Sequence, residues 1–493
     1  MKLSDLTSDD VVVRGAAAGA RAVEIAGLCS DSRRLRPGEL FAALPGGRAD
    51  GRAFVRAAIE AGAAAVLADA GLAADDLPVP VAVAANPRRE LALMAARFHG
   101  HRQPEGVAAV TGTNGKTSVA TFARQIWTAL GRPAASLGTL GVQAPAAGID
   151  RTTGLTSPDA VMLHALLAEL AGAGVERVVM EASSHGLDQH RLDGVRLQAA
   201  ALTNLTRDHF DYHGGFDAYV AAKRRLFAEL LPADGTAVLN ADIPAFAEFE
   251  RVCRARGVRV LSFGRLGDDL RLVRQEPRPD GQSITLAVHG REHAVDTRLV
   301  GAFQGSNLLA ALGLVLAGGG DPEAAVGALG AVEGAPGRMQ RVAAHPSGAP
   351  VFVDYAHTPD ALAQVLQALR PHTAGRLVVL FGCGGDRDPG KRPEMGRIAA
   401  GLADAVFVTD DNPRSEDPAA IRRAILAACP GATEVGDRAA AIRAALAGLR
   451  AGDVLVVAGK GHEAGQIVGD RVLPFDDGAA VRAGLSELFG AAA

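Results

Sequence analysis

The residues Gly112-Thr113-Asn114-Gly115-Lys116-Thr117 have the types and spacing most directly suited to chemistry. Glycines let backbone N–H groups close on an anion, a lysine adds a mobile positive charge, and the neighbouring hydroxyl can ligate a divalent cation. The pattern is the short G-x-x-G-K-T, because the common longer form would need glycine where Val110 stands. Context separates a phosphate cradle from an ordinary glycine-rich turn. Val107–Val110 is an apolar run read as a buried strand. Beyond the turn, Val119, Phe122, Ala123, Ile126, Trp127 and Leu130 recur at helical spacing. Strand, turn and helix N-terminus predict a site for nucleoside triphosphate, with Gly112–Thr117 around the phosphates, Lys116 reaching the terminal ones and Thr117 on Mg²⁺.

Other chemistry-bearing residues also sit at the ends of apolar runs. Glu181 closes the run Arg177–Glu181 and opens onto Ala182-Ser183-Ser184-His185-Gly186-Leu187-Asp188-Gln189-His190-Arg191. A carboxylate at the C-terminal end of a parallel strand beside a phosphate loop is where Mg²⁺ is commonly held. Ala199–Thr203 ends in a second polar cluster, Asn204 to His213. Two such clusters point to a site more than to scattered structural histidines. Tyr219–Phe227 reads as a helix, and by pattern alone its Lys223 reads as a solvated charge.

The last third of the chain repeats one device four times. Val351–Val353 runs into Asp354-Tyr355-Ala356-His357, Leu377–Phe381 into Gly382-Cys383-Gly384-Gly385-Asp386-Arg387, Ala405–Val408 into Thr409-Asp410-Asp411-Asn412-Pro413-Arg414, and Val454–Val457 into Ala458-Gly459-Lys460-Gly461-His462-Glu463. Apolar strands separated by helical stretches predict a doubly wound α/β unit with its ligand edge at the strand C-termini. The glycines from Gly382 lack the third member of a dinucleotide fingerprint, which argues against a nicotinamide enzyme.

Loops of this kind need sheets to carry them, and 493 residues suit about three domains. The expected units are 1–103, 104–335 and 336–493, with Pro104 at the first boundary and Glu333–Gly337 as a linker. The fold class is α/β: a central P-loop-type domain with a mostly parallel sheet, and a Rossmann-like C-terminal domain. In the first unit, Cys29–Arg33 and Gly46–Gly51 are polar turns, suited either to an anionic ligand or to plain turn chemistry. Ser283–Val300 alternates as antiparallel strands do. A net charge of −4 and 4% aromatic residues argue against a nucleic-acid partner. The four cysteines form no C-x-x-C pair, and no apolar run is long enough for membrane insertion. A cytoplasmic location is expected.

In their order along nearly the whole chain, GTNGKT, MEASSHGL, LTNLTRDHFDYHG, AKRRLF, DYAHTPD and AGKGHE resemble the Mur ligases, the ATP-dependent family that builds the peptidoglycan stem peptide. HGLDQHR and Asp411-Asn412-Pro413-Arg414 are similar to the branch that adds diaminopimelate. The resemblance implies that meso-diaminopimelate is joined to the D-Glu side chain of UDP-N-acetylmuramoyl-L-Ala-D-Glu through an acyl phosphate, with ATP and Mg²⁺; a monomer is expected. It implies that Ser30, Ser32, Gly47, Arg48 and Ala49 hold the UDP-sugar, and that Thr152, Thr153, Ser183, Gln189 and Arg191 hold the muramoyl-peptide. Gly112–Ser118 would bind the ATP phosphates, and Asn307, Arg341, Asp354 and His357 would complete the ATP site. Thr117, Glu181 and His209 would hold Mg²⁺, with Lys116, Lys223 and His209 catalytic. Lys223 matches a lysine that the family carbamylates into a metal partner, which reverses the solvated-charge reading. Arg387, Asp411, Asn412, Pro413, Arg414, Gly459 and Glu463 would receive diaminopimelate. A related ligase adding another amino acid, such as lysine, is the alternative.

Overall fold

The computed structural model describes residues 1–15, 20–46, 50–74, 76–206, 210–278 and 280–490, with only the backbone of Phe210 and Asp211. The chain divides into two units, Met1–Phe263 with Ala310–Asp321, and Gly264–Leu309 with Pro322–Ala493.

The first unit holds two sheets. The smaller comprises β1 (Val12–Arg14), β2 (Gly27–Cys29), β3 (Glu39–Ala42), β4 (Ala65–Ala68) and β5 (Val81–Val83), in the order β1-β5-β4-β3-β2. β2 to β5 are parallel and β1 is an antiparallel edge. Alternation sends Leu40, Leu67 and Ala82 to one face, against Leu91 and Met94 of the Pro87–Phe98 helix. Phe41, Val66 and Val81 face the other way, onto Val55 and Ala58.

The larger sheet has β6 (Gly106–Thr111), β7 (Ala134–Gly138), β8 (Gly141–Ala144), β9 (Ile149–Arg151), β10 (Arg177–Glu181), β11 (Ala199–Leu202), β12 (Thr236–Asn240) and β13 (Arg259–Gly264). Their order is β13-β12-β11-β6-β10-β7-β8-β9. The run from β13 to β7 is parallel, while β8 and β9 turn back antiparallel. β6 lies between β10 and β11 and is buried throughout. That position explains its unbroken apolar run. It also brings the C-terminal ends of β6, β10 and β11 to one edge, so Gly112, Glu181 and Thr203 become neighbours. The helix after the glycine turn begins at Lys116 and ends at Ala129, so its polar first turn precedes the apolar periodicity. The Tyr219–Phe227 pattern is the helix Phe216–Arg225, which runs on as a π-helical turn over Leu226–Leu230.

In the second unit, β14 (Leu270–Arg278), β15 (Gly281–Val288) and β16 (Arg291–Thr297) form an antiparallel meander. The alternation over Ser283–Val300 marks its second and third strands. β17 (Gln340–Ala344), β18 (Pro350–Asp354), β19 (Leu377–Phe381), β20 (Ala405–Val408), β21 (Thr433–Glu434) and β22 (Val454–Ala458) form a sheet ordered β17-β18-β22-β19-β20-β21. All but β17 are parallel. Its two faces carry separate cores, one around Phe352, Leu366 and Met395, the other around Leu380, Ile442 and Val481. This is the doubly wound arrangement expected. β22, last in sequence, sits between β18 and β19, and the polar turns after these three strands meet there. A hairpin, β23 (Gly465–Val468) with β24 (Arg471–Pro474), follows β22. The Glu333–Gly337 turn is packed against this region, since a Cβ at Gly337 would stand 2.2 Å from the His462 nitrogen. Among the described residues no helix is long and apolar enough to cross a membrane.

Candidate active site

The cradle is built by close approach of backbones. Gly112 has φ 148°, and a Cβ there would stand 1.9 Å from Thr203 Oγ1, so only glycine fits between β6 and β11. Gly115, at φ 88°, precedes the first helical residue. The loop is held from β11 and beyond. Thr203 Oγ1 donates to the Asn114 carbonyl at 2.6 Å, and Asn114 N donates to Asn204 Oδ1 at 2.9 Å. Thr113 Oγ1 meets the Tyr219 hydroxyl at 2.8 Å and accepts from Thr206 N at 2.9 Å. Lys116 Nζ donates to the carbonyls of Gly112 (2.9 Å) and Thr113 (2.8 Å), which arches its charge over the loop. Thr117 and Ser118 are buried in the first turn.

Thr117 Oγ1 donates to Glu181 Oε1 at 2.9 Å. Glu181 is buried at the end of β10 and also accepts from Thr139 N at 2.8 Å. Hydroxyl and carboxylate therefore form a pair at this edge. Its all-oxygen donor set suits Mg²⁺. Lys223 is not the solvated charge its helix pattern suggests. It is 1% exposed, donates to the Gly112 carbonyl at 2.9 Å, and lies 4.6 Å from the centre of the Tyr219 ring. Burial follows from how the Phe216–Arg225 helix meets the cradle, which no local pattern encodes. His209 lies outside the described residues.

Of the residues expected to hold the muramoyl-peptide, Ser183, Gln189 and Arg191 gather around Ser157 beyond the end of β10. Ser157 Oγ donates to the Glu181 carbonyl at 2.8 Å and stands 3.0 Å from Ser183 Oγ. Ser183 caps the short Ser184–Asp188 helix through Gly186 N. Arg191 donates to the Ser157 carbonyl (2.6 Å) and to Gln189 Oε1 (2.7 Å). Burial lowers the pKa of Arg191, against the pull of Asp159. Gln189 donates to the Tyr212 hydroxyl at 3.0 Å, and His185 packs on the Tyr212 ring. Thr153 follows β9 and donates to the Leu155 carbonyl at 3.1 Å; Thr152, beside it, is exposed. Ser157, Tyr219 and Asn204 were not singled out by sequence. Their contacts depend on strand order; Asn204 opens a polar cluster and Tyr219 a helical pattern, while nothing local marks Ser157.

At the edge of the smaller sheet, Ser30 and Ser32 occupy the turn after β2, while Gly47, Arg48 and Ala49 lie outside the described residues. The Arg33 guanidinium holds the Asp31 carboxyl at a pKa of about 2. Asn86 begins the Pro87–Phe98 helix and bonds His190 at 2.9 Å, linking this edge to the Gln189–Arg191 loop.

In the second unit, Asp354 accepts from Met339 N (2.7 Å) and Ala356 N (2.8 Å), and burial raises its pKa despite Arg338 and these bonds. Burial lowers the pKa of His357, whose Nδ1 meets the Tyr355 carbonyl at 2.8 Å. Arg341 is exposed on β17, and Asn307 is buried with its Nδ2 donating to Gln304. The residues assigned to the amine converge after β20 and β22. Asn412 Nδ2 donates to Glu463 Oε2 at 3.0 Å, and Gly459 backs onto Asp411 so closely that a Cβ would stand 2.7 Å from Oδ2. Arg414 has φ 50° and donates to the Gly385 carbonyl at 2.8 Å. Its backbone is clamped by the hairpin, through Ile467 O and Gly469 N. Pro413 packs its carbonyl against Gly385, and Arg387 is exposed after β19.

A phosphate cradle on a central parallel strand, with a hydroxyl–carboxylate pair and a polar cluster at the same edge, defines a nucleoside-triphosphate-binding protein of the P-loop α/β class. Comparison with known proteins makes this specific. The Mur ligase family catalytic domain matches residues 24–106, the Mur ligase middle domain 110–315, and the Mur ligase glutamate ligase domain 337–461. The chain belongs to the Mur ligase family. It is 56% identical over 457 residues to the UDP-N-acetylmuramoyl-L-alanyl-D-glutamate–2,6-diaminopimelate ligase of Caulobacter vibrioides, covering 92% of this chain and 94% of that protein. The enzyme of the same name from Bradyrhizobium diazoefficiens is 52% identical, over 99% of each chain. A solved structure of a protein of that name superposes with a TM-score of 0.72 at 32% identity, over 99% of both chains.

Proposed function

We propose that this chain joins diaminopimelate to the D-Glu side-chain carboxylate of UDP-N-acetylmuramoyl-L-Ala-D-Glu, with cleavage of ATP to ADP and phosphate. The observation that carries it is the double engagement of Glu181, whose carboxylate meets Thr117 of the cradle while its carbonyl meets Ser157 of the polar cluster. One strand end thus serves both the γ-phosphate and the acid to be activated. A carboxylate oxygen attacks the γ-phosphorus and ADP departs, leaving an acyl phosphate. Lys116 neutralises charge developing on the transferred group. The neutral amine then attacks the acyl carbon, and the tetrahedral intermediate expels phosphate as the amine loses a proton.

Mg²⁺ would be held by Thr117 and Glu181, and when bound it supplies Lewis-acid stabilisation of the phosphoryl oxygens. Lys223 is assigned to the same centre as a carbamate. The sugar nucleotide is assigned to residues 1–103, ATP to 104–335 with Asn307, Arg341, Asp354 and His357, and the amine to 336–493. Similarity of name and sequence to the two bacterial ligases supports the choice of amine. So do Arg387 and Arg414, since an added carboxylate is what distinguishes diaminopimelate from lysine and guanidinium groups pair with it bidentately.

The test is ADP release across a panel of UDP-muramoyl-peptides and amines. Release should require UDP-N-acetylmuramoyl-L-Ala-D-Glu together with diaminopimelate. Equal kcat/KM for lysine would overturn the amine assignment, because a site built to pair a charge rejects the analogue lacking it by up to about 10⁴-fold.

A further inference from the structure

The turn after β22 buries a charge that the reaction above does not use. Lys460 is 0% exposed. A buried ammonium persists only where its partners compensate for lost water. Its Nζ donates to Asn412 Oδ1 at 2.8 Å and to the Gly465 carbonyl at 2.7 Å. The Asp411 and Glu463 carboxylates stand 3.7 and 3.9 Å away. The backbone on either side has no room to relax. Gly459 is pressed against Asp411, and Gly461, at φ 56°, would place a Cβ 2.7 Å from Tyr355 Cβ.

The consequence falls on Asn412. Its Oδ1 takes two donors, Lys460 Nζ and Ile467 N at 3.0 Å. Both acceptor directions of that oxygen are then occupied, and a flipped amide would point its NH₂ at two donors. Nδ2 is therefore turned to Glu463 Oε2, at 3.0 Å. Glu463 is partly exposed, with 35% of its side chain accessible, so one carboxylate oxygen is anchored from within while the group faces outward.

We propose that Lys460 is a positioning residue for the amine substrate, selecting the orientation of the Asn412 amide and through it the carboxylate of Glu463 that receives an ammonium group. The inference rests on the assignment of Asn412 and Glu463 to the amine site.

Steady-state kinetics on the full chain test it, with KM measured separately for diaminopimelate, ATP and UDP-N-acetylmuramoyl-L-Ala-D-Glu. K460M should raise KM for diaminopimelate about tenfold to a hundredfold, while the other two KM values move less than about twofold. K460Q keeps a donor towards Asn412 Oδ1 and should recover most of that loss. The double variant K460M/N412A should be no worse than N412A, because both act through one amide. N412D keeps an oxygen acceptor, now charged, for Lys460 and replaces the donor turned to Glu463 by a second acceptor, so it carries the test if the Lys460 variants do not fold; it should raise the same KM alone. An unchanged KM for diaminopimelate in folded K460M or in N412D overturns the proposal. So does a parallel rise in all three KM values, or losses that multiply in the double variant. Wild-type enzyme that fails to use diaminopimelate would instead sink the amine assignment, independently of Lys460.

Discussion

At the scale of single residues, the cradle and its acid make separable predictions. Thr117→Val removes the hydroxyl that meets Glu181 and keeps the shape. It should lower kcat about 10²–10³-fold with a small change in melting temperature, because the missing group acts on charge formed during phosphoryl transfer. Arg414→Ala should act on the other substrate. It should raise KM for diaminopimelate about a hundredfold and shrink the preference over lysine, leaving KM for ATP near its starting value. An unaltered preference would remove Arg414 from the site. Lys223→Ala should be nearly inactive and regain measurable turnover with short carboxylic acids, if a carbamate is the working form; failure of rescue would leave the buried lysine with a purely structural role.

At the scale of elements, the fit of β6 against β11 is the critical one. Gly112→Ala would drive a methyl group into Thr203 Oγ1, a side chain already tied to the Asn114 carbonyl. The expected cost is about 1–3 kcal/mol, read as a lower urea midpoint, together with loss of ATP-induced stabilisation. Removing the obstructing oxygen with Thr203→Ala should restore only part, because the Asn204 nitrogen would still lie 3.1 Å from the new methyl group and φ stays at 148°. The β23–β24 hairpin is a second element whose job is local. Through Ile467 and Gly469 it holds the Arg414 backbone in a left-handed conformation that arginine rarely adopts unaided.

At the scale of the molecule, one buried histidine connects folding to pH. His164 lies in the Ala160–Gly172 helix and its Nε2 meets the Asp193 carbonyl at 2.9 Å. Burial pushes its pKa from 6.5 down to about 4. The unfolded chain therefore binds a proton that the folded chain refuses across that window. Stability should fall as pH drops from 6.5 towards 4, by up to about 3 kcal/mol from this group, and level off below. In urea titrations of the full chain, His164→Gln should flatten that slope even if it is less stable at pH 7. A slope unchanged in the variant would place the pH dependence elsewhere.

Short-range order carried much of this protein in plain view. The apolar run Arg177–Glu181 is a strand with those ends because a central parallel strand is buried on both faces and tolerates no polar interruption. The glycine turn was legible for the same kind of reason, as its conformation is a property of a few adjacent residues. What the linear chain left open was everything that depends on which strand lies beside which. Lys223 is buried on the Gly112 carbonyl, and Lys460 is sealed beneath Asn412. Lys223 looks solvent-facing in a local window, and nothing local marks Lys460 as buried, because each charge is buried by a partner 111 or 48 residues away in sequence. Tertiary structure chose those partners through the order of β11, β6 and β10, and of β18, β22 and β19, and strand order is a long-range packing outcome that local periodicity does not encode.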